Sequence, residues 1–376
     1  MSEWRVTTWG SVVELQRGFD ITKSEQSLAG EVPVVSSGGV SSYHDKSMAE
    51  GPGVIIGRKG TLGRVHFIES DYWPHDTTLW VKSFKDNDPK FVYYSLQQLN
   101  ADHFNVGSAS PTLNRNHVYA IPVLWPENIG VQRAIAGVLG ALDDKIAANE
   151  RLSSGVQKLL QEHFVALGLD GFSGQGSSVM IQELFEMNPR ASRKIVGQVP
   201  YLEMKNLPDS AMTVNSWSTR EAKGGARFVN GDVLLARITP CLENGKVGYV
   251  DFLDHEEIGI GSTEFIVFRA KDPLLSAVPF FLSKSERFRD FAIRHMQGTS
   301  GRQRLAAADV AEYQLAKVDD ESLKRFGELS TTLLERVKTA VSESRSLSHT
   351  RDELLPLLMS GKITVKDAEK VVSDAV

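Results

Sequence analysis

Side chains able to read a polar, charged surface recur at matching places in the two halves of the sequence. The first group is Arg58, Lys59, Thr61 and Arg64, then Ser108, Ser110, Thr112, Asn114, Arg115 and Asn116. The second is Arg237, Thr239, Asn244 and Lys246, then Thr299, Ser300, Arg302, Gln303 and Arg304. Arginine bonds guanine bidentately in the major groove, and Asn or Gln bonds adenine likewise. Lysine, serine and threonine suit phosphate oxygens. From Lys284 to Arg304 the chain also carries Arg287, Arg289 and Arg294 against only Glu286 and Asp290, a local basic face. For any one of these residues a solvated charged helix is the better account, and the recurrence of Gly-rich polar loops in both copies is what favours binding. The formal net charge of −5 argues against indiscriminate coating of nucleic acid. It does not exclude a basic patch, because binding follows the local field.

Other chemistries lack their residues. A P-loop needs a glycine, four residues, then Gly-Lys-Ser/Thr, and the glycines from Gly53 to Gly63 have the wrong spacing. Gly57, Gly60 and Gly63 stand between two strand-like runs, where a turn with positive φ is the expectation. No zinc motif, nucleophile elbow or adenine-methyltransferase signature occurs, and Asn188-Pro-Arg190 is only a distant approach to the last. His75-Asp76 is the one adjacent pair that invites a catalytic reading, and it reads better as a polar strand start. The single cysteine, Cys241, suits a reducing cytoplasm. No leader or bilayer-spanning run is apparent.

The elements that must hold these residues come from an internal duplication. Val54-Ile-Ile-Gly-Arg58 matches Val233-Leu-Leu-Ala-Arg237, and Gly60-Thr-Leu-Gly-Arg-Val65 matches Gly245-Lys-Val-Gly-Tyr-Val250. Thr77-Thr-Leu-Trp-Val81 matches Thr263-Glu-Phe-Ile-Val267, Tyr93 and Tyr94 match Phe280 and Phe281, and Leu113 with Val118 matches Leu305 with Val310. The offset drifts from 179 to 192 residues, as loop insertions between fixed strands would make it.

Each copy ends in a long amphipathic helix. In the first, Ile135, Val138, Leu142, Leu152, Val156 and Leu159 form the apolar stripe, with Lys145 and Asn149 interrupting it to fix register. At 1.5 Å per residue such a helix is roughly 50 Å long. In the second, the stripe is Phe326, Leu329, Leu333, Val337, Val341, Leu347, Leu354 and Leu358. Two such helices can pack antiparallel as a spacer. Gly168 to Ser178 reads as a flexible link.

The expected fold class is α+β: two β-rich mixed globular domains separated by two long antiparallel helices in a pseudo-twofold repeat. The expected limits are 1–128 for the first domain, 129–168 for its helix, 169–319 for the second domain, 320–360 for its helix, and 361–376 for a tail.

This layout resembles the specificity subunit of type I restriction-modification systems. The most telling segments are Gln132-Arg-Ala-Ile through Leu152 and Leu354-Leu-Pro-Leu-Leu-Met-Ser-Gly-Lys-Ile-Thr-Val365, similar to that family's helical spacers. The Pro33, Gly57-to-Val65 and Gly107-to-Leu113 strings resemble its target-recognition domains. The resemblance implies a non-catalytic chain whose two domains each read half of a bipartite site on double-stranded DNA. It also implies two methyltransferase subunits docked on the helices and restriction-translocase subunits completing the complex. S-adenosylmethionine, ATP and magnesium would then belong to the partners, with no cofactor, metal or membrane contact in this chain. The second spacer departs from the pattern, with Leu323-Lys-Arg-Phe326 in place of the Gln-Arg-x-Ile start. The rival readings are a stand-alone DNA-modifying enzyme with divergent motifs and a protein-binding scaffold.

Overall fold

The computed structural model describes residues 4–27, 30–99, 112–172, 174–190, 195–299 and 301–375. It divides into two compact units, the first formed by 1–146 with 344–376 and the second by 147–343.

In the first unit the strands are β1 (Trp4–Thr8), β2 (Glu14–Arg17), β3 (Val32–Ser36), β4 (Gly39–His44), β5 (Gly53–Gly57), β6 (Val65–Ile68), β7 (Trp73–Pro74), β8 (Thr78–Ser83) and β9 (Pro122–Pro126). Its helices are α1 (Trp9–Val12), α2 (Pro89–Gln97), α3 (Arg115–Ala120) and the start of α4 (Ile129–Ala166). The second unit holds β10 (Ser178–Met180), β11 (Phe185–Met187), β12 (Gln198–Leu202), β13 (Ser218–Glu221), β14 (Ala226–Phe228), β15 (Val233–Ala236), β16 (Val247–Tyr249), β17 (Gly259–Gly261), β18 (Phe265–Ala270) and β19 (Gln314–Ala316). It also holds α5 (Ile181–Leu184), α6 (Val278–Lys284), α7 (Glu286–Arg294), α8 (Ala307–Ala311) and most of α9 (Asp320–Met359). A last helix, α10 (Val365–Ala375), belongs to the first unit.

The duplication is written in the strand order. The sheet β2-β8-β5-β6 has its counterpart in β11-β18-β15-β16, and the ribbon β1-β9 in β10-β19. The sheet β4-β3-β7 corresponds to β13-β12-β17, to which the second unit adds β14. Even the parallel pairs agree, Val34 beside Trp73 in one unit and Tyr201 beside Ile260 in the other. The fold is α+β.

The central strands are apolar throughout because they separate two cores. Val54 and Ile56 face the main core of the first unit, while Ile55 faces a small second core with Val35 and Tyr72. In the second unit Val233 and Leu235 face one core, and Leu234 and Ala236 the other. Side chains alternate across a strand, so burial on both faces removes the polar half of the pattern.

The long helices have 38 and 40 residues. Within the second unit their segments run antiparallel, since Asn149 meets Ala340 while Phe164 meets Phe326. Asn149 is buried and donates to Ala340 O at 3.2 Å and to Glu343 at 2.8 Å, the polar interruption expected of it. The stripe itself shifts: Ile135, Leu142 and Val156 are buried, but Leu152 and Leu159 are 45% and 43% exposed, and Leu160 and Phe164 take the core places. A straight helix turns away from a fixed 3.5-residue seam, so one stripe does not serve its whole length.

Two segments differ from expectation. The region read as a tail contains α10, whose Ala368 is fully buried in the first core with Ile363, Val365 and Val372 against it. The proposed link begins as packed chain, with Leu169 buried and Asp170 O accepting from the Tyr313 hydroxyl at 3.1 Å.

Gln132 explains why the first spacer begins as it does. Its amide donates to Asn87 Oδ1 at 2.8 Å and Pro126 O at 3.0 Å, and its Oε1 accepts from Asp88 N at 2.9 Å. That binds α4 to the N-cap of α2. Leu323, at the corresponding place, instead packs against the second unit's core.

Candidate nucleic-acid interface

In the first unit the expected residues gather where β5 ends. Arg58 N and Lys59 N both donate to Thr77 O, at 2.8 and 3.0 Å, and Leu113 N donates to Arg58 O at 2.9 Å. The segment that follows Thr112 is thereby held against Arg58. Thr61 and Arg64 are exposed on the turn between β5 and β6. That turn needs its glycines: Gly60 and Gly63 have φ of 75° and 72°, the left-handed region that glycine enters freely. Gly57 serves a different purpose, since a Cβ there would lie 2.0 Å from Thr61 O. Arg115 and Asn116 are exposed on the first turn of α3, but Asn114 Oδ1 accepts from Asn116 N at 3.0 Å and so caps that helix. Thr112 is half-buried, and Ser108 and Ser110 lie outside the described residues.

The second unit repeats the arrangement. Arg237 follows β15, its N–H donates to Glu264 O at 3.0 Å, and Leu305 N donates to Arg237 O at 2.8 Å. Thr239 N donates to Gln303 O at 3.2 Å, and Thr239 Oγ1 accepts from Gln303 N at 3.1 Å. Thr299 and Arg302 are exposed, and Ser300 lies outside the described residues.

Several expected contacts are engaged within the protein. Arg304 binds Glu264 through three contacts of 2.7 to 2.9 Å, and its guanidinium beside Glu264 holds that carboxyl below the usual glutamate range. Lys246 Nζ donates to Leu207 O at 2.9 Å and pairs with Asp209 at 3.1 Å. The basic stretch is likewise not one open face. Lys284 donates to Asp209 O and Gly245 O, at 2.7 and 2.9 Å, and Arg289 to Glu243 O at 2.7 Å. These cations fasten the turn between β15 and β16, which positions Thr239. Burial lowers the Lys284 ammonium to about 8, with the Arg289 charge adding to the effect.

Other residues enter that the sequence reading passed over. A cleft of about 540 Å³ in the second unit is lined by Arg190, Arg227 and Arg237, with Asn188, Thr263, Phe265 and Val267. Asn188, at φ 50°, turns the chain after β11 while its Oδ1 accepts from Val267 N at 2.9 Å. That turn sends Arg190 to the cleft wall. The only sequence signal was the Asn-Pro-Arg string itself, because strands far apart in sequence supply the rest.

His75 and Asp76 form no catalytic arrangement. His75 Nδ1 lies 3.0 Å from Thr77 Oγ1 and 3.0 Å from Asp76, whose carboxylate also pairs with Arg17 at 3.1 Å. Among the described residues no acidic, histidine or cysteine cluster could hold a metal ion.

Residues 1–158 match the family described as the type I restriction modification DNA specificity domain. The type I restriction enzyme EcoAI specificity subunit of Escherichia coli is 36% identical over 84 residues, which are 22% of this chain and span 14% of that subunit's length. The crystal structure of the S subunit of a type I restriction-modification system from M. genitalium superposes with a TM-score of 0.62 at 18% identity, covering 95% of this chain and 96% of that one. At that identity the likeness is one of fold. The first 158 residues are thus similar to the type I restriction modification DNA specificity domain, and 95% of the chain shares the fold of that S subunit.

Proposed function

We propose that this chain is the DNA-recognition subunit of a type I restriction-modification complex. In this reading 1–128 and 169–319 are target-recognition domains, and 129–168 and 320–360 are spacer helices. Each domain takes one half of a bipartite site on double-stranded DNA, with the halves offset by roughly one helical turn. The chain itself is non-catalytic. Two methyltransferase subunits dock on the helices, restriction-translocase subunits complete the assembly in the cytoplasm, and S-adenosylmethionine, ATP and magnesium act in those partners.

One observation carries the reading. In both units an apolar strand ends in an arginine whose carbonyl accepts from a leucine, Leu113 on Arg58 and Leu305 on Arg237. Thr112 and Leu113 in one unit, and Arg304 and Leu305 in the other, are thereby held at the same point of the same scaffold. Of the expected side chains, Arg58, Lys59, Thr61, Arg64, Arg115, Asn116, Arg237, Thr299 and Arg302 are the ones we assign to DNA contact.

The test is sequence-specific methylation by the complex reconstituted with its methyltransferase partner. A hybrid whose first 128 residues come from a relative of different specificity should change one half-site and keep the other. Two unchanged half-sites would sink the modular reading, and cleavage or methylation by the purified chain alone would favour a stand-alone enzyme.

A further inference from the structure

We propose that the arginine-lined cleft of the second unit seats a phosphodiester of the DNA backbone, held by Arg190, Arg227 and Arg237. The proposal rests on the DNA-recognition reading and deepens it, since of these three only Arg237 belongs to the repeated loops. Elsewhere in the same unit Arg220, Arg269, Arg287 and Arg304 each meet a carboxylate, from Glu203, Asp232, Asp170 and Glu264. Arg190, Arg227 and Arg237 have no ion-pair partner among the described residues, although all three line one cleft. Glu264, bonded to Arg237 through its backbone oxygen, has its carboxylate occupied by Arg304. Arg237 Nε is moreover buried with no acceptor among the described residues. Arg237 does feel the Glu264 charge, but Arg304 already binds that carboxylate, and an anion in the cleft relieves the repulsion that remains among the three guanidiniums.

The cleft also has the shape for this ligand. Arg190 comes from the turn after β11, Arg227 from β14 and Arg237 from the end of β15, so the cations surround the space from three strands. Phe265 and Val267 add an apolar lining that suits a sugar, and Thr263 adds a hydroxyl that suits a phosphate oxygen. The first unit differs here. Arg17, at the end of the corresponding edge strand, is neutralised by Asp20 and Asp76, and Arg58 Nη1 approaches Asp76 O at 3.5 Å. The seat belongs to the second unit.

The experiment is a salt titration of binding by the full chain to a pool of duplexes randomised in sequence. Arg227 and Arg190 are exposed, so Arg227→Gln and Arg190→Gln leave the fold intact. Each should flatten the dependence of log affinity on log salt, and the two together by about 0.9, the release from one phosphate. Arg227→Lys should restore the slope, because a lysine charge serves a phosphate but not bidentate base recognition. A steep wild-type slope left unchanged by both Gln variants would overturn the seat while leaving DNA recognition standing. If Arg227→Lys fails to restore binding and the selected sequences relax, the cleft reads a base, which also overturns it. Wild-type protein that binds no duplex would overturn the recognition reading, and the seat with it.

Discussion

Asp143 on α4 ties three elements of the first unit together, and removing it should unfasten them. Its Oδ2 accepts from the Tyr94 hydroxyl of α2 at 2.6 Å, and its Oδ1 from Arg351 Nη1 of α9 at 2.6 Å. Tyr94 is fully buried, and that burial, with the Asp143 contact second, drives its phenol well above the ordinary tyrosine range. Asp143→Ala therefore leaves a buried hydroxyl without its acceptor, which costs about 1–3 kcal/mol. The bond from Arg351 is charge-assisted and would be worth about 1.5–3 kcal/mol if fully buried. Both of its side chains are 26% exposed, so solvent screening favours the low end. Arg351 also keeps Asp352 at 2.8 Å and is not orphaned. The sum is about 3 kcal/mol for Asp143→Ala, and about 1 kcal/mol for Tyr94→Phe, which removes donor and hydroxyl together.

Urea unfolding followed by tryptophan fluorescence measures this cleanly. Trp4, Trp9, Trp73, Trp80 and Trp125 lie in the first unit and only Trp217 in the second, so the signal reports the unit that carries the substitution. That matters because a two-unit chain need not unfold in one step. The double variant should lose about 1 kcal/mol less than the two single losses added, since its partners are already gone. A loss below about 0.5 kcal/mol for Asp143→Ala, or strict additivity, would refute the account.

Two other perturbations follow from the site. Gly57→Ala drives a Cβ against the Thr61 carbonyl, a backbone atom that cannot swing aside; the first unit should lose about 1–3 kcal/mol in the same urea assay, and duplex affinity should fall as the turn bearing Thr61 and Arg64 moves. Lys284 has its folded value lowered to about 8 from 10.5, so between those limits the unfolded chain holds more protons and stability rises with pH. Thermal unfolding of the second unit should therefore shift upward from pH 8 to pH 10, by about 1–2 kcal/mol after screening, and this pH dependence should vanish in Lys284→Met.

The scaffold was readable because backbone geometry leaves periodic traces. Apolar runs ending in Arg58 and Arg237 marked the central strands, glycines marked the turn beyond them, and the buried Asn149 was visible as a polar break in a helical stripe. What stayed hidden depends on partners distant in the chain. Nothing local to Arg304 foretells Glu264, 40 residues away, or to Lys284 the carbonyl of Asp209. Asn114 has the residue type of a DNA contact, yet Asn before a helix is also a common N-cap. The stretch after Gly361 is rich in charge and short, and only its packing against the first core shows Ala368 to be a buried helical residue.

The duplication also explains how two such different surfaces can share one frame. Leu113 to Arg58 and Leu305 to Arg237 are backbone bonds, and a backbone bond makes no demand on the side chains beside it. The loop anchor could therefore survive while the sequences diverged to sparse identity. The side-chain surroundings had no such protection. In the first unit Asp20 and Asp76 pair with Arg17 at the surface, whereas in the second Arg190 and Arg227 have no carboxylate partner among the described residues, and Glu264 takes Arg304 while Arg237 Nε has no acceptor there. The placing of a carboxylate thus decides whether a guanidinium is ion-paired within the protein or left without such a partner. On the proposed DNA-recognition reading, diversity of recognition requires no change of fold, only the relocation of a few acidic residues around arginines that the backbone already places.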